Sequence, residues 1–197
     1  AMSFGESVFP FLITVGILLA VSLPFVIVKP KQTRIYETII RRAARPKNVR
    51  DGVVICGAYG KGNSGDNAIL NAIVGQLRSI DPDVPITVLS RDPTETRLCA
   101  GVDSVYTFNL RKIGKCMKHS KLYISGGGTL MQDATSTRSL LYYLFSIRQA
   151  AKKGCRVMLY GCGIGPIHRE INRKRTQKCL DRYADLICVR DRQSLNF

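Results

Sequence analysis

The residues of this chain that are equipped for chemistry fall in four short passages, each directly after a run of apolar residues. The first is AYGKGNSGDNAIL, Ala58 to Leu70, where Gly60, Gly62 and Gly65 permit close backbone approach to a ligand and Asp66 supplies a carboxylate. Backbone amides at the start of a following helix face an anion. Asp66 has two readings that do not exclude each other: a side-chain cap for that helix, or a base that takes a proton from a hydroxyl. The glycine spacing matches neither the GxGxxG fingerprint nor the Walker loop, so neither a dinucleotide nor a P-loop site is indicated.

The second passage is ISGGGTLMQDATSTRSLLYYL, Ile124 to Leu144. Consecutive Gly126, Gly127 and Gly128 cost conformational entropy and make sense where backbone curves tightly or lies against a ligand. Gln132, Asp133 and Arg138 follow within reach of the same place. Arg138 opens a helix, where a cation opposes the dipole, so its guanidinium either binds an anion or pairs with Asp133. The third passage, LYGCGIGPI, carries Gly163 and Gly165, with Pro166 available to open a helix. The fourth, VRDRQS, places Arg190 beside Asp191. His119 and His168 stand alone, and no spacing suggests a metal site.

These passages need elements to position them. GVVICG from Gly52 reads as a buried first strand, and Asn67 to Ile80 then sets Ile69, Leu70, Ile73, Val74 and Leu77 at helical spacing. PITVLS, DSVYTF, KLYISG, RVMLYG and DLICVR supply five more expected strands, and helices fit 95–100, 110–119, 138–153 and 170–183. Strands alternating with helices give an α/β fold, a Rossmann-like doubly wound parallel sheet over 52–197. Such sheets bind ligands at the carboxyl ends of their strands, where all four passages fall.

From Val8 to Val28 the chain carries no charge, enough residues to cross a hydrocarbon core as a helix. We expect a transmembrane anchor over 1–30 and a basic juxtamembrane linker over 31–51. Residues 29–51 hold eight basic and two acidic side chains, which by the positive-inside rule puts the following domain in the cytoplasm, on the inner membrane. Nothing basic precedes the apolar run, which argues against a cleaved signal. The net charge of +16 points to anionic partners, among them an anionic membrane surface. No zinc spacing, aromatic RNA-binding strand or helix-turn-helix supports nucleic acid. The seven cysteines form no CxxC pair and read as reduced core thiols in a reducing compartment.

Taken in order, GNSGDNAIL, ISGGGTLMQDATSTRSLLYYL, MLYGCGIGP and VRDRQS resemble the polysaccharide pyruvyl transferase family. The resemblance covers about Val53 to Ser194 and implies the first of two nucleotide-fold domains facing each other across a cleft, the second lying beyond this chain. It implies phosphoenolpyruvate as donor, no cofactor, and a pyruvate ketal formed on a lipid-linked saccharide acceptor for a cell-wall polymer or exopolysaccharide. Asn63 and Asp66 match the family's acceptor and general-base loop. Gly126 to Gly128, Gln132, Asp133 and Arg138 match its central motif, and Arg190 with Asp191 its closing motif. Asn67 stands where that pattern has an acidic residue, and Cys162 where it has Gln, which leaves Asp66 as the base. Two other functions fit the same fold class: a glycosyltransferase using a nucleotide sugar, and a non-catalytic membrane-bound module that binds saccharide intermediates.

Overall fold

A computed structural model describes residues 26–27 and 50–197. It contains one seven-stranded sheet: β1 (Val26–Ile27), β2 (Gly52–Cys56), β3 (Ile86–Ser90), β4 (Asp103–Tyr106), β5 (Ser120–Gly126), β6 (Arg156–Cys162) and β7 (Leu186–Val189). The helices are α1 (Ser64–Ile80), α2 (Pro93–Ala100), α3 (Leu110–Lys118), α4 (Thr137–Lys152), α5 (Glu170–Tyr183) and the short α6 (Arg192–Leu195). Spatial order is β1-β7-β6-β5-β2-β3-β4, with β2 through β7 parallel and β1 antiparallel to β7. Strand order reverses between β2 and β5, so a crevice opens at their carboxyl ends. The expected parallel doubly wound sheet is therefore present.

The centre of the sheet forms from β2 because its five residues are apolar or small and are buried on both faces. Alternation then assigns each side chain to a layer. Val53 and Ile55 face Leu70, Ile73, Val74 and Leu77 of α1. Val54 and Cys56 face the opposite layer, with Ile113 and Met117 of α3, Leu140 and Ile147 of α4 and Leu180 of α5. Truncating a fully buried residue such as Ile147 to Ala costs about 2–5 kcal/mol by transfer and cavity terms together. That rigidity lets loops at one edge hold fixed positions.

Of the expected span from Val8 to Val28, only Val26 and Ile27 are described, and they pair with Cys188 and Ile187 at the sheet edge. The remainder and nearly all of the 31–51 linker lie outside the described residues. Among the described residues no helix is long and apolar enough to cross a membrane. All seven cysteines are free thiols, with Cys56, Cys155, Cys162 and Cys188 buried.

Candidate functional site

The second, third and fourth passages are drawn together by main-chain hydrogen bonds past the ends of β5, β6 and β7. Gly127 N–H donates to the Tyr160 carbonyl at 3.2 Å, Gly163 N–H to Gly128 at 2.9 Å and Gly165 N–H to Met131 at 2.7 Å. Arg190 N–H continues the series to Cys162 at 3.3 Å. On the other side of the crevice, Tyr59 in the loop after β2 donates its hydroxyl to the Gly126 carbonyl at 2.6 Å. Burial pushes the Tyr59 phenol well above its ordinary range, so it stays a neutral donor.

Asn63, rather than Asp66, caps α1: its side-chain oxygen accepts from Gly65 N–H at 3.0 Å. Asp66 sits one turn in, buried, with Oδ2 accepting from Asn63 Nδ2 at 2.8 Å. Burial raises its carboxyl above the ordinary value, partly offset by the Asn63 hydrogen bond and the Lys61 charge. Opposite it is Gly128 at φ +67°, where an added Cβ would stand 3.0 Å from Asp66 Oδ1. Glycine is required there twice over, by its left-handed backbone and by the closeness of the carboxylate. A buried carboxylate in the first turn of α1, biased toward taking up a proton, is suited to general-base work.

Arg190 joins the second, third and fourth passages. Its Nη2 donates to Thr129 Oγ1 at 2.7 Å and its Nε to Asp191 at 3.1 Å. A Cβ on Gly163 would approach both Thr129 Oγ1, at 2.9 Å, and Arg190 Nε, at 3.1 Å. Asp191 caps α6 by accepting from Ser194 N–H at 2.7 Å, and Ser194, through its side chain first and its N–H second, holds the Asp191 carboxyl below the ordinary value more than Arg190 does. Ser194 Oγ in turn accepts from Ile164 N–H at 2.8 Å. Arg190 is therefore fixed in direction while its head group remains exposed.

Asp133 is occupied elsewhere than expected. It accepts from His168 N–H at 2.7 Å, Arg169 N–H at 3.2 Å and Asn172 Nδ2 at 2.8 Å. These bonds lower its carboxyl, the Asn172 bond most. Arg169 is the N-cap of α5 and offers no side-chain cap of its own, so Asp133 supplies the anion for that helix start. Pro166 does not open the helix, which begins four residues later at Glu170. The alternative pairing of Asp133 with Arg138 is absent. Arg138 lies in the first turn of α4, exposed, its guanidinium held by no described residue. Gln132 turns inward on its own loop, donating to Thr135 Oγ1 at 2.6 Å and accepting from Thr135 N–H at 3.1 Å.

Cys162 lies at the end of β6, fully buried, and donates to the Ser125 carbonyl at 2.9 Å. Burial pushes its thiol up to about 12, which makes it a structural donor and not a nucleophile. Among the described residues no cluster of three His, Cys, Asp or Glu side chains is placed to hold a metal ion. A surface depression lined by Arg78, Arg97 and Asp103 lies at the opposite edge of the sheet, at the starts of β3 and β4.

Sequence reasoning did not single out Tyr59, Thr129, Asn172 or Ser194. An aromatic side chain inside a glycine-rich loop, as in AYGKG, is a signal for the first. The other three are short polar residues of ordinary loop or helix type, and only the folded chain shows what they orient.

With this arrangement in view, the sequence comparison decides the lineage: the polysaccharide pyruvyl transferase family model matches residues 63–197. The chain belongs to the polysaccharide pyruvyl transferase family. The matched region begins at Asn63, the cap of the Asp66 helix, and runs through all four passages. No curated protein matches the chain. Among solved structures, the chain is similar to heptosyltransferase WaaC of E. coli with ADP, at 10% sequence identity and a TM-score of 0.36. That likeness covers 67% of this chain and 44% of the heptosyltransferase, so the chain spans less than half of that enzyme's length.

Proposed function

We propose that this member of the pyruvyl transferase family takes part in moving pyruvate from phosphoenolpyruvate onto a sugar of a lipid-linked cell-wall or exopolysaccharide precursor, as a ketal. The observation that carries the reading is the placement of a buried, base-biased Asp66 against the triple-glycine turn at Gly128, on the sheet edge that also bears Arg138 and Arg190. In the reaction a sugar hydroxyl gives its proton to a base, its oxygen bonds to C2 of the enol pyruvate, and C3 gains a proton. Inorganic phosphate then leaves C2, and a second hydroxyl bonds to the same carbon as its proton passes to the departing phosphate. Asp66 is the base for the first hydroxyl, and Arg138 and Arg190 hold the donor's carboxylate and phosphate by charge-assisted hydrogen bonds. Gly65, Gly126, Gly127, Gly163 and Gly165 let the backbone close around the donor, with Asn63 and Gln132 beside it.

The strand-end shelf is open on one side, and catalysis needs the reacting groups aligned and shielded from water. A second domain of the enzyme supplies that cover in this reading. The uncharged run from Val8 to Val28 and the basic residues after it support a single-pass anchor with the catalytic domain on the cytoplasmic side of the inner membrane. The test is release of inorganic phosphate from phosphoenolpyruvate by the complete enzyme, with and without a lipid-linked saccharide. Acceptor-dependent release, with a ketal on the saccharide, is the expected result. Consumption of a nucleotide sugar in its place would assign the chain to glycosyl transfer.

A further inference from the structure

We propose that the turn between β4 and α3, with the adjoining surface of α4, is a docking surface for an anionic lipid bilayer that holds the domain close to the headgroup layer and leaves the strand-end shelf facing its second domain. Tyr106, Phe108 and Leu110 are 45%, 50% and 54% exposed, and Leu141 and Phe145, one turn apart on α4, are 39% and 42% exposed. Scattered apolar residues on a surface need no explanation, whereas a group of large ones on adjoining elements does. The group is fastened rather than loose. The Phe108 ring meets Tyr106 edge-on at 5.7 Å and Tyr142 at 5.6 Å, and the Tyr142 hydroxyl donates to the Thr107 carbonyl at 3.0 Å.

The rim of this surface chooses the occupant. Arg111, Lys112 and Lys115 on α3 are exposed, and from Ser104 to Gln132 the chain carries no acidic residue at all. The Arg91 guanidinium lies 4.7 Å from the Phe108 ring centre. Aromatic rings at headgroup depth with cations reaching lipid phosphates is the arrangement an anionic leaflet accommodates. A neutral saccharide would stack on the rings and leave the cations unanswered. A second copy of this chain would bring the same positive rim against itself.

Position supports the same occupant. β4 ends at Tyr106, so the surface belongs to the sheet edge that carries Asp66, and Arg91 N–H is bonded to the Tyr59 carbonyl of the site loop at 3.0 Å. β1 runs antiparallel to β7, with Val26 opposite Cys188 and Ile27 opposite Ile187, so the chain enters β1 from that edge too. The sequence leading into it, Val8 to Phe25, is the uncharged stretch. The inference rests on the membrane association proposed above and not on the identity of the reaction.

The chain contains no tryptophan, so Phe108→Trp in the full chain gives a single reporter. Its emission is recorded with phosphatidylglycerol vesicles and with phosphatidylcholine vesicles, and again with brominated lipids as quenchers. The expected result is a blue shift and quenching on phosphatidylglycerol, and none for Leu98→Trp, whose site on α2 is 82% exposed and away from the surface. Each basic group near such a leaflet contributes about fivefold in affinity, so Lys112→Gln with Lys115→Gln weakens binding roughly 25-fold. Tyr106→Trp replaces Phe108→Trp if circular dichroism shows the latter unfolded. The proposal is overturned if the reporter is unshifted while the chain sediments with the vesicles, which would mean that the apolar segment alone holds it. A shift that follows protein concentration without lipid overturns it as well, in favour of a second copy.

Discussion

The hydroxyl of Tyr59 donates a 2.6 Å hydrogen bond to the carbonyl of Gly126, joining the loop after β2 to the end of β5 across the point where the strand order reverses. Both partners are buried, so the bond is a fixed strut under the shelf. Tyr59→Phe keeps the ring and strands the acceptor, which lowers stability by about 1–3 kcal/mol in denaturant unfolding. An unchanged midpoint would mean that water or another donor reaches Gly126.

Asp66→Asn separates chemistry from structure. The amide can still accept from Asn63, so the helix start survives, but it cannot take a proton. Because burial raises the carboxyl in the folded state, ionising Asp66 works against folding. Its contribution to stability is fullest below the ordinary carboxylate value and declines as pH rises through the raised one. At neutral pH Asp66→Asn is accordingly as stable as the parent or slightly more so, while transfer falls by 10²-fold or more, in the range of about 10²–10⁴ for loss of a general base. A clear loss of stability at neutral pH would show that the carboxylate is a structural ion.

Gly128→Ala tests the closeness of the triple-glycine turn to that carboxylate. A left-handed backbone at φ +67° costs an L-residue about 1–2 kcal/mol, and the new Cβ also presses on Asp66 Oδ1. Turnover should fall by more than the stability loss accounts for, whereas Gly62→Ala, also left-handed but with open space around its Cβ, should show the backbone penalty alone. Equal activity losses in the two would remove the Asp66 contact from the explanation.

Asp133 anchors the start of α5, and its acid sensitivity has a definite sign. Its carboxyl is held below the ordinary value, so its contribution is present above that value and is lost as pH falls through the lowered one. Asp133→Ala should lower the thermal midpoint at neutral pH and leave it nearly unchanged at strongly acid pH. Asp133→Asn should recover part of the difference, since an amide oxygen still accepts from His168 and Arg169.

The strands of the parallel sheet were legible because most are short apolar runs closed by glycine or a charge, as in GVVICG and KLYISG. The same punctuation marked the four passages and placed them at one sheet edge. Less visible was which polar side chain bonds to which. Asn63 and Asp66 are both good cap residues, and only the backbone at Asn63, extended at φ −87° and ψ 106°, gives it the role. Asp133 reads as a partner for Arg138, five residues on, yet the amides it meets are more than thirty residues away and come within reach only when β6 lies beside β5. The Arg190 to Thr129 bond is of the same kind, a contact made by topology across an ordinary-looking threonine. β1 was hidden for a different reason: Val26 and Ile27 end an apolar run whose length reads as a span.

The central claim is that Asp66 is the base of a pyruvyl transfer carried out on this shelf. The direct measurement is inorganic phosphate released from phosphoenolpyruvate by the complete enzyme with a lipid-linked saccharide, comparing the parent with Asp66→Asn and confirming the ketal by mass spectrometry. The account predicts acceptor-dependent release by the parent and loss of it in the variant at unchanged stability. Near-normal release by Asp66→Asn, or no release by the parent with any lipid-linked saccharide, would contradict it.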